Sequence, residues 1–234
     1  VQPNDDFGCD MNDLSDPAID VYDNAMFIIA LDYLLEMAPD SPQASRWKSL
    51  REGIERNVRA HLWDVKRQKF IPHIYPEKSP IPEGFDELAI HYHGGTAIAI
   101  EAGLLSKDEI RTVNAQMLEN VRLSGMPSIG LTLYPVYPDG FFHGGMSKAY
   151  LYQNGGDWTW FGGRMIQQLV VNGMVEEAYA EIHPMIERVI QNDGFYEWYG
   201  KGGVPSGSGN FKGSAGVLSK AIELLRDWAE KNKS

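Results

Sequence analysis

Apolar residues along this chain recur mostly at helical spacing, and the helices they predict come in pairs. Tyr22, Met26, Ile29, Tyr33 and Met37 mark a first helix over residues 17–37, with Asp16 placed to cap it and Pro17 suited to its first turn. Pro39 ends it. Trp47, Leu50, Ile54, Val58 and Leu62 mark a second helix over 41–63. A second pair covers 85–102 and 106–121, the latter opened by the capping box Ser106-Lys107-Asp108-Glu109. A third covers 158–171 and 174–190 across the turn Asn172-Gly173, and a last helix covers 214–229, with Val217, Ala221, Leu224, Leu225 and Trp228 on its apolar side. The strand period of two is absent outside the loops.

Turns inside each pair are short, whereas the connections at 64–84, 123–157 and 192–213 are long. Repeated helical hairpins of this size predict an all-α fold, an (α/α)6 toroid of helical hairpins. About seven helices fall short of the twelve such a ring needs. The pattern therefore predicts one helical-hairpin domain over residues 1–234, with an apolar face left for the missing N-terminal part of the same barrel or for another chain. Antiparallel pairing also sorts the connections, since every short turn falls at one end of the array and every long loop at the other. The segment before the first helix joins the long-loop end, which is where function is expected.

Charge narrows the partners. A net charge of −11 opposes nucleic acid and anionic membrane, both of which select basic surfaces. Neutral sugars are compatible with it. The six Trp, eleven Tyr and nine Phe point the same way, because sugar rings present apolar C–H faces to aromatic rings. A single cysteine, Cys9, rules out an internal disulfide framework.

Three segments at the long-loop end carry candidate chemistry. Glu197 lies among Phe195, Tyr196, Trp198 and Tyr199, a setting suited to one of the two carboxyl groups that glycoside hydrolysis needs. Trp158, Trp160 and Trp198, with Tyr152 and Tyr137, are candidates for a sugar platform. Gln153, Asn154 and Asp157 are candidates to bond sugar hydroxyls, or equally to cap the helix that follows. Asp5, Asp6, Asp10 and Asp13 cluster before the first helix. His91, His93 and His143 lack metal-ligand spacing, and two residues apart on a helix His91 and His93 would occupy different faces. No metal and no cofactor is expected.

The segment Tyr152-Gln153-Asn154-Gly155-Gly156-Asp157-Trp158-Thr159-Trp160, the segment Gly194-Phe195-Tyr196-Glu197-Trp198-Tyr199, and Asn210-Phe211-Lys212-Gly213-Ser214-Ala215-Gly216 resemble the C-terminal half of the six-hairpin glycosidases. That clan includes glycogen-debranching-type amylo-glucosidases, processing-glucosidase-like and mannosylglycerate-hydrolase-like enzymes, and the alkaline and neutral invertases. Two departures are visible: Thr159 stands where the clan often has proline, and Lys212-Gly213 replaces an aromatic before the serine–alanine pair. The resemblance implies an inverting hydrolase acting on a carbohydrate. Glu197 would be the base, Asp6 or Asp5 the general acid, and Gln153, Asn154, Asp157, Trp158, Trp160, Trp198 and His143 would contact substrate. Two alternatives stand beside it: a sugar isomerase or epimerase moving protons with His93 and His143, and a non-catalytic carbohydrate-binding remnant.

Overall fold

A computed structural model describes residues 18–142 and 144–232. Among them are seven α-helices: α1 (Val21–Met37), α2 (Ala44–His61), α3 (His93–Glu101), α4 (Lys107–Ser124), α5 (Thr159–Val171), α6 (Val175–Gln191) and α7 (Lys212–Lys231). The odd-numbered helices pack in succession, α1 on α3, α3 on α5 and α5 on α7, while α2 and α6 lie against α1 and α5. The even helices form a second layer, linked by Arg59 to Glu109 at 2.6 Å and by Asn114 to Glu181 at 2.8 Å. The fold is an all-α arc of a helical-hairpin toroid.

Helix ends follow from local chemistry. Asp20 caps α1 by accepting from the Asp23 amide at 2.9 Å, and its extended backbone sets the boundary. The start expected at Asp16 and Pro17 lies outside the described residues; helix begins only at Val21, because the Ile19 backbone is already paired with Ile74. The capping box of α4 forms in both directions between Ser106 and Glu109, and Gly125 in the left-handed region closes that helix.

The helix expected over 85–102 is half as long. Residues 87–89 form a 3₁₀ turn, and His91–Tyr92 form strand β3, paired antiparallel with β4 (Leu133–Tyr134). Tertiary partners take the groups a helix would need. Glu87 Oε1 accepts from His73 Nδ1, Tyr75 Oη and Tyr137 Oη at 2.8, 2.8 and 2.6 Å, and the Ile90 carbonyl accepts from Lys69. Burial alone would raise the Glu87 carboxyl, but these bonds and the His73 charge hold it below its usual value. Two further ladders join Trp63–Asp64 (β1) to Lys69–Phe70 (β2), and Trp198–Tyr199 (β5) to Pro205–Ser206 (β6).

The main core fills the space between the layers with Ile28, Ile98, Met165, Ile166, Leu169, Met185 and Ala221. A close approach is built into α5: a Cβ on Gly162 would meet Met185 Sδ at 2.8 Å and the Gly130 backbone at 3.0 Å. A smaller cluster of Ile90, Leu133, Tyr137, Phe141 and Phe142 lies under the long loops. At the open edge, α1 buries Val21, Ala25, Ile28 and Leu31 yet leaves Phe27 and Met37 49% and 73% exposed, with Leu34 also uncovered. Phe27, Leu34 and Met37 share one helix face by their spacing of seven and three.

One buried acid lies between the outer helices. Among the described residues Glu181 on α6 bonds only to Asn114, and burial raises its carboxyl to about 7. Its Oε2 and Asn114 Oδ1 both lack partners there. The folded state therefore binds a proton more tightly than the unfolded chain, so stability is lost as pH rises from about 4.5 through 7. Glu181→Gln removes that dependence and lets the new amide donate to Asn114 Oδ1. The variant should be more stable at pH 8 by about 1–3 kcal/mol, with the gain vanishing near pH 5. Thermal melts at the two pH values test this, and a gain that is equal at both would contradict it.

Candidate active site at the long-loop end

All long connections meet at one end of the array, as alternating hairpins require. Ile19 pairs with Ile74, Leu131 with Asp157, and Asp157 with Tyr199, while Thr132 N donates to Gly156 O at 3.0 Å and Trp158 N to Gly130 O at 2.8 Å. The glycine-rich segment before α5 is thus a seam between the 128–134 loop and strand β5. The Asp157 and Tyr199 backbones exchange hydrogen bonds of 2.9 and 2.8 Å across it.

Asp157 faces inward from that seam. Its side chain is fully enclosed; Ser128 Oγ lies 2.8 and 2.7 Å from the two carboxylate oxygens, and Arg188 Nη1 lies 2.7 Å from Oδ1. The Arg188 guanidinium also covers the Tyr199 ring at 4.0 Å and donates to Thr159 Oγ1 at 2.6 Å. One buried ion pair thereby ties the start of α5, the end of α6 and strand β5. Asn154 is equally enclosed, clamping the Tyr137 backbone with bonds of 2.9 and 3.1 Å. Tyr137 is buried as well, with its hydroxyl spent on Glu87. These three residues are buried within the loop end and brace it.

Glu197 immediately precedes β5, half-buried. Its backbone N–H donates to Ser208 O at 2.9 Å, and Oε2 accepts from Ser208 N at 3.2 Å. The carboxylate rests against Gly207, which has φ +69°, and a Cβ there would lie 2.5 Å from Oε2. Only glycine fits this approach. Oε1 makes no hydrogen bond among the described residues.

The aromatic candidates form a continuous series of edge contacts. Trp198 meets Tyr152 at 6.3 Å, Tyr152 meets Trp158 at 4.9 Å, Trp158 meets Phe161 at 6.2 Å, and Phe161 meets Tyr22 at 6.1 Å. Trp158 is nearly buried, with its indole N–H bonded to Tyr152 O at 3.1 Å, whereas Trp160 and Trp198 keep exposed surface. Trp160 carries the Arg164 guanidinium 4.4 Å over its ring and lies against Gly213 at the start of α7. Arg164 is in turn paired with Glu101 on α3. Gln153 is half-buried and its side-chain amide makes no hydrogen bond among the described residues, so it is open to a ligand.

Asp5, Asp6, Asp10, Asp13 and His143 lie outside the described residues. The first described carboxylate of the N-terminal segment is Asp20, whose carboxyl is raised by burial beside the entry to α1. Composition offers no cue to it, because Asp16 before Pro17 fits the capping pattern equally well. Arg188, 31 positions from Asp157, is likewise invisible to any local motif. His91 and His93 do not occupy separate helix faces: the strand-to-helix junction stacks their rings 5.8 Å apart. No group of three or more metal-competent side chains gathers among the described residues, and no described helix is long and apolar enough to cross a membrane.

No protein-family model and no curated protein matches this chain. Solved structures do. A GH63 mannosylglycerate hydrolase from Thermus thermophilus, in complex with Tris and D-glycerate, superposes over 90% of this chain and 46% of its own at 17% identity and a TM-score of 0.61. An uncharacterized conserved protein from the same organism matches over 92% and 48% at 16% identity, with a TM-score of 0.63. A sialidase matches over 80% of this chain and 17% of its own at 12% identity, with a TM-score of 0.56. The chain spans about half the length of the first two. Identities this low establish the fold alone, an arc of a helical-hairpin toroid shared with these structures.

Proposed function

We propose that this chain is the C-terminal part of the barrel of an inverting glycoside hydrolase, with Glu197 the base that activates water. The observation that carries this reading is the setting of Glu197: a half-buried carboxylate with one uncommitted oxygen, held against Gly207 and Ser208 at the end where every long loop converges. The general acid is assigned to Asp6 or Asp5, across a gap of about 6.5–9.5 Å that admits one water molecule. Trp160, Trp198 and Gln153 are the groups available to a sugar ring and its hydroxyls, and His143 is a further candidate contact. The helices that cover Phe27, Leu34 and Met37 belong to the rest of the barrel or to another chain, so the complete assembly is the unit to assay.

The isomerase reading loses one of its two proton carriers. His93 is buried, its Nε2 taken by Asn120 at 2.9 Å, and burial next to His91 and Lys69 lowers its pKa to about 3. Hydrolysis of a panel of glycosides by the intact enzyme, followed by proton NMR, should show the inverted anomer first. A retained anomer would remove the water-activating role from Glu197, and binding without turnover would make the protein a carbohydrate-binding module.

A further inference from the structure

Beside α4, where Gln116 reaches the Arg67 carbonyl of the β1–β2 turn at 3.0 Å, the surface opens into a groove of about 600 Å³. His91, Arg111, Thr112, Gln116, Glu119 and Asn120 line it. None of these lining residues belongs to the candidate active site around Glu197. Behind its wall lies Lys69, 3% exposed, whose ammonium bonds to the Ile90 carbonyl and has no carboxylate partner among the described residues. His93 stacks on His91 in the same layer.

Lys69, His91 and His93 thus share one interior layer, and none of the three is ion-paired with a carboxylate among the described residues. The nearby acids are committed elsewhere or remote. Asp64 is held by Arg67 at 2.8 Å, and Glu119 is gripped by Arg122 through bonds of 2.8 and 2.6 Å. Asp86 acts on Lys69 only through space. Gln116 lines the groove beside His91. Arg111 is paired only with Asp108, whose side chain is 92% exposed, a pair of the kind that contributes little and rearranges freely. Burial, then neighbouring positive charge, lowers Lys69 to about 8 and His91 to about 4. Asp64 and Asp86 act on Lys69 in the opposite sense, without a direct ion pair to it.

We propose that this groove binds the phosphate group of a small soluble molecule, received by Arg111 and His91 with the Lys69 ammonium behind them. A phosphate suits it better than a single carboxylate, because a dianion with three acceptor oxygens can meet a guanidinium, an imidazole and an amide together. Thr112 and Asn120 supply further polar contacts at the rim. Binding would pull a proton onto His91, since an adjacent anion favours the imidazolium. The proposal does not depend on the glycosidase reading.

The test is NMR of the His91 ring in the intact protein, with inorganic phosphate added at pH 6.5 and constant ionic strength. A saturable movement toward the protonated position is expected, at least tenfold weaker in affinity for Arg111→Gln and unchanged for Glu197→Gln. Arg111 is a surface residue, so its variant should fold normally, and a wild-type melting curve for it keeps the comparison valid. A response that never saturates, one that Arg111→Gln leaves intact, or an equal one from acetate would overturn the proposal.

Discussion

Glu197→Gln in the intact enzyme is expected to lower turnover by about 10²–10⁴-fold, the range typical of a lost general acid–base group. Substrate affinity should change little, because size and hydrogen-bonding capacity are kept. The local structure should survive too. Oε2 acts only as an acceptor for the Ser208 N–H, a role the glutamine oxygen can keep, and the Gly207 contact is steric. What disappears is the basicity of Oε1, the oxygen without a partner among the described residues. Steady-state rates on the preferred glycoside, with circular dichroism to verify folding, decide the matter. Near-normal hydrolysis by the variant would take the base away from Glu197. The enclosed Asp157 could not inherit the role, since both its oxygens are engaged.

Arg188→Met should be the most damaging single change to stability, costing about 3–5 kcal/mol. The substitution leaves the Asp157 carboxylate buried with Ser128 as its remaining side-chain partner, removes the bond to Thr159 and uncovers the Tyr199 ring. Pairing it with Asp157→Asn neutralises the stranded charge and should recover part of the loss, because a neutral amide is far cheaper to bury than an unpaired carboxylate. Urea unfolding of wild type, both single variants and the double variant measures the coupling. A cost below about 1 kcal/mol for Arg188→Met would mean that the pair does not brace the site. The brace bears on catalysis as well, since strand β5 begins one residue after Glu197 and is held to the start of α5 through Asp157. Loosening it should therefore lower turnover in the single variant even where the protein remains folded.

The helices are legible in the sequence wherever their causes are local. The α4 capping box, the glycine that closes the same helix, and the short turn between α5 and α6 each depend on residues within about four positions of one another. The gathering of the long loops is legible as well, since it follows from hairpin alternation alone. The glycine-rich and aromatic segments around Glu197 announce themselves by composition, and Gly207 beneath the carboxylate gives that composition a steric reason.

Other features depend on groups far apart in the chain. Residues 85–92 carry a pattern compatible with helix, yet Glu87 is captured by His73, Tyr75 and Tyr137, and Tyr92 pairs with Leu133. Asp157 and Asn154 look in sequence like hydroxyl-binding groups. Which way a carboxylate faces is settled by the nearest desolvated cation, here Arg188 on another helix. Likewise the basic layer of Lys69, His91 and His93 exists only because a strand-to-helix junction stacks two rings that a continuous helix would have separated. Local pattern was thus enough for the helical array and for the gathering of the long loops at one end. Which polar groups face inward was left to the packed fold, because burial and charge pairing act between residues that no local period connects.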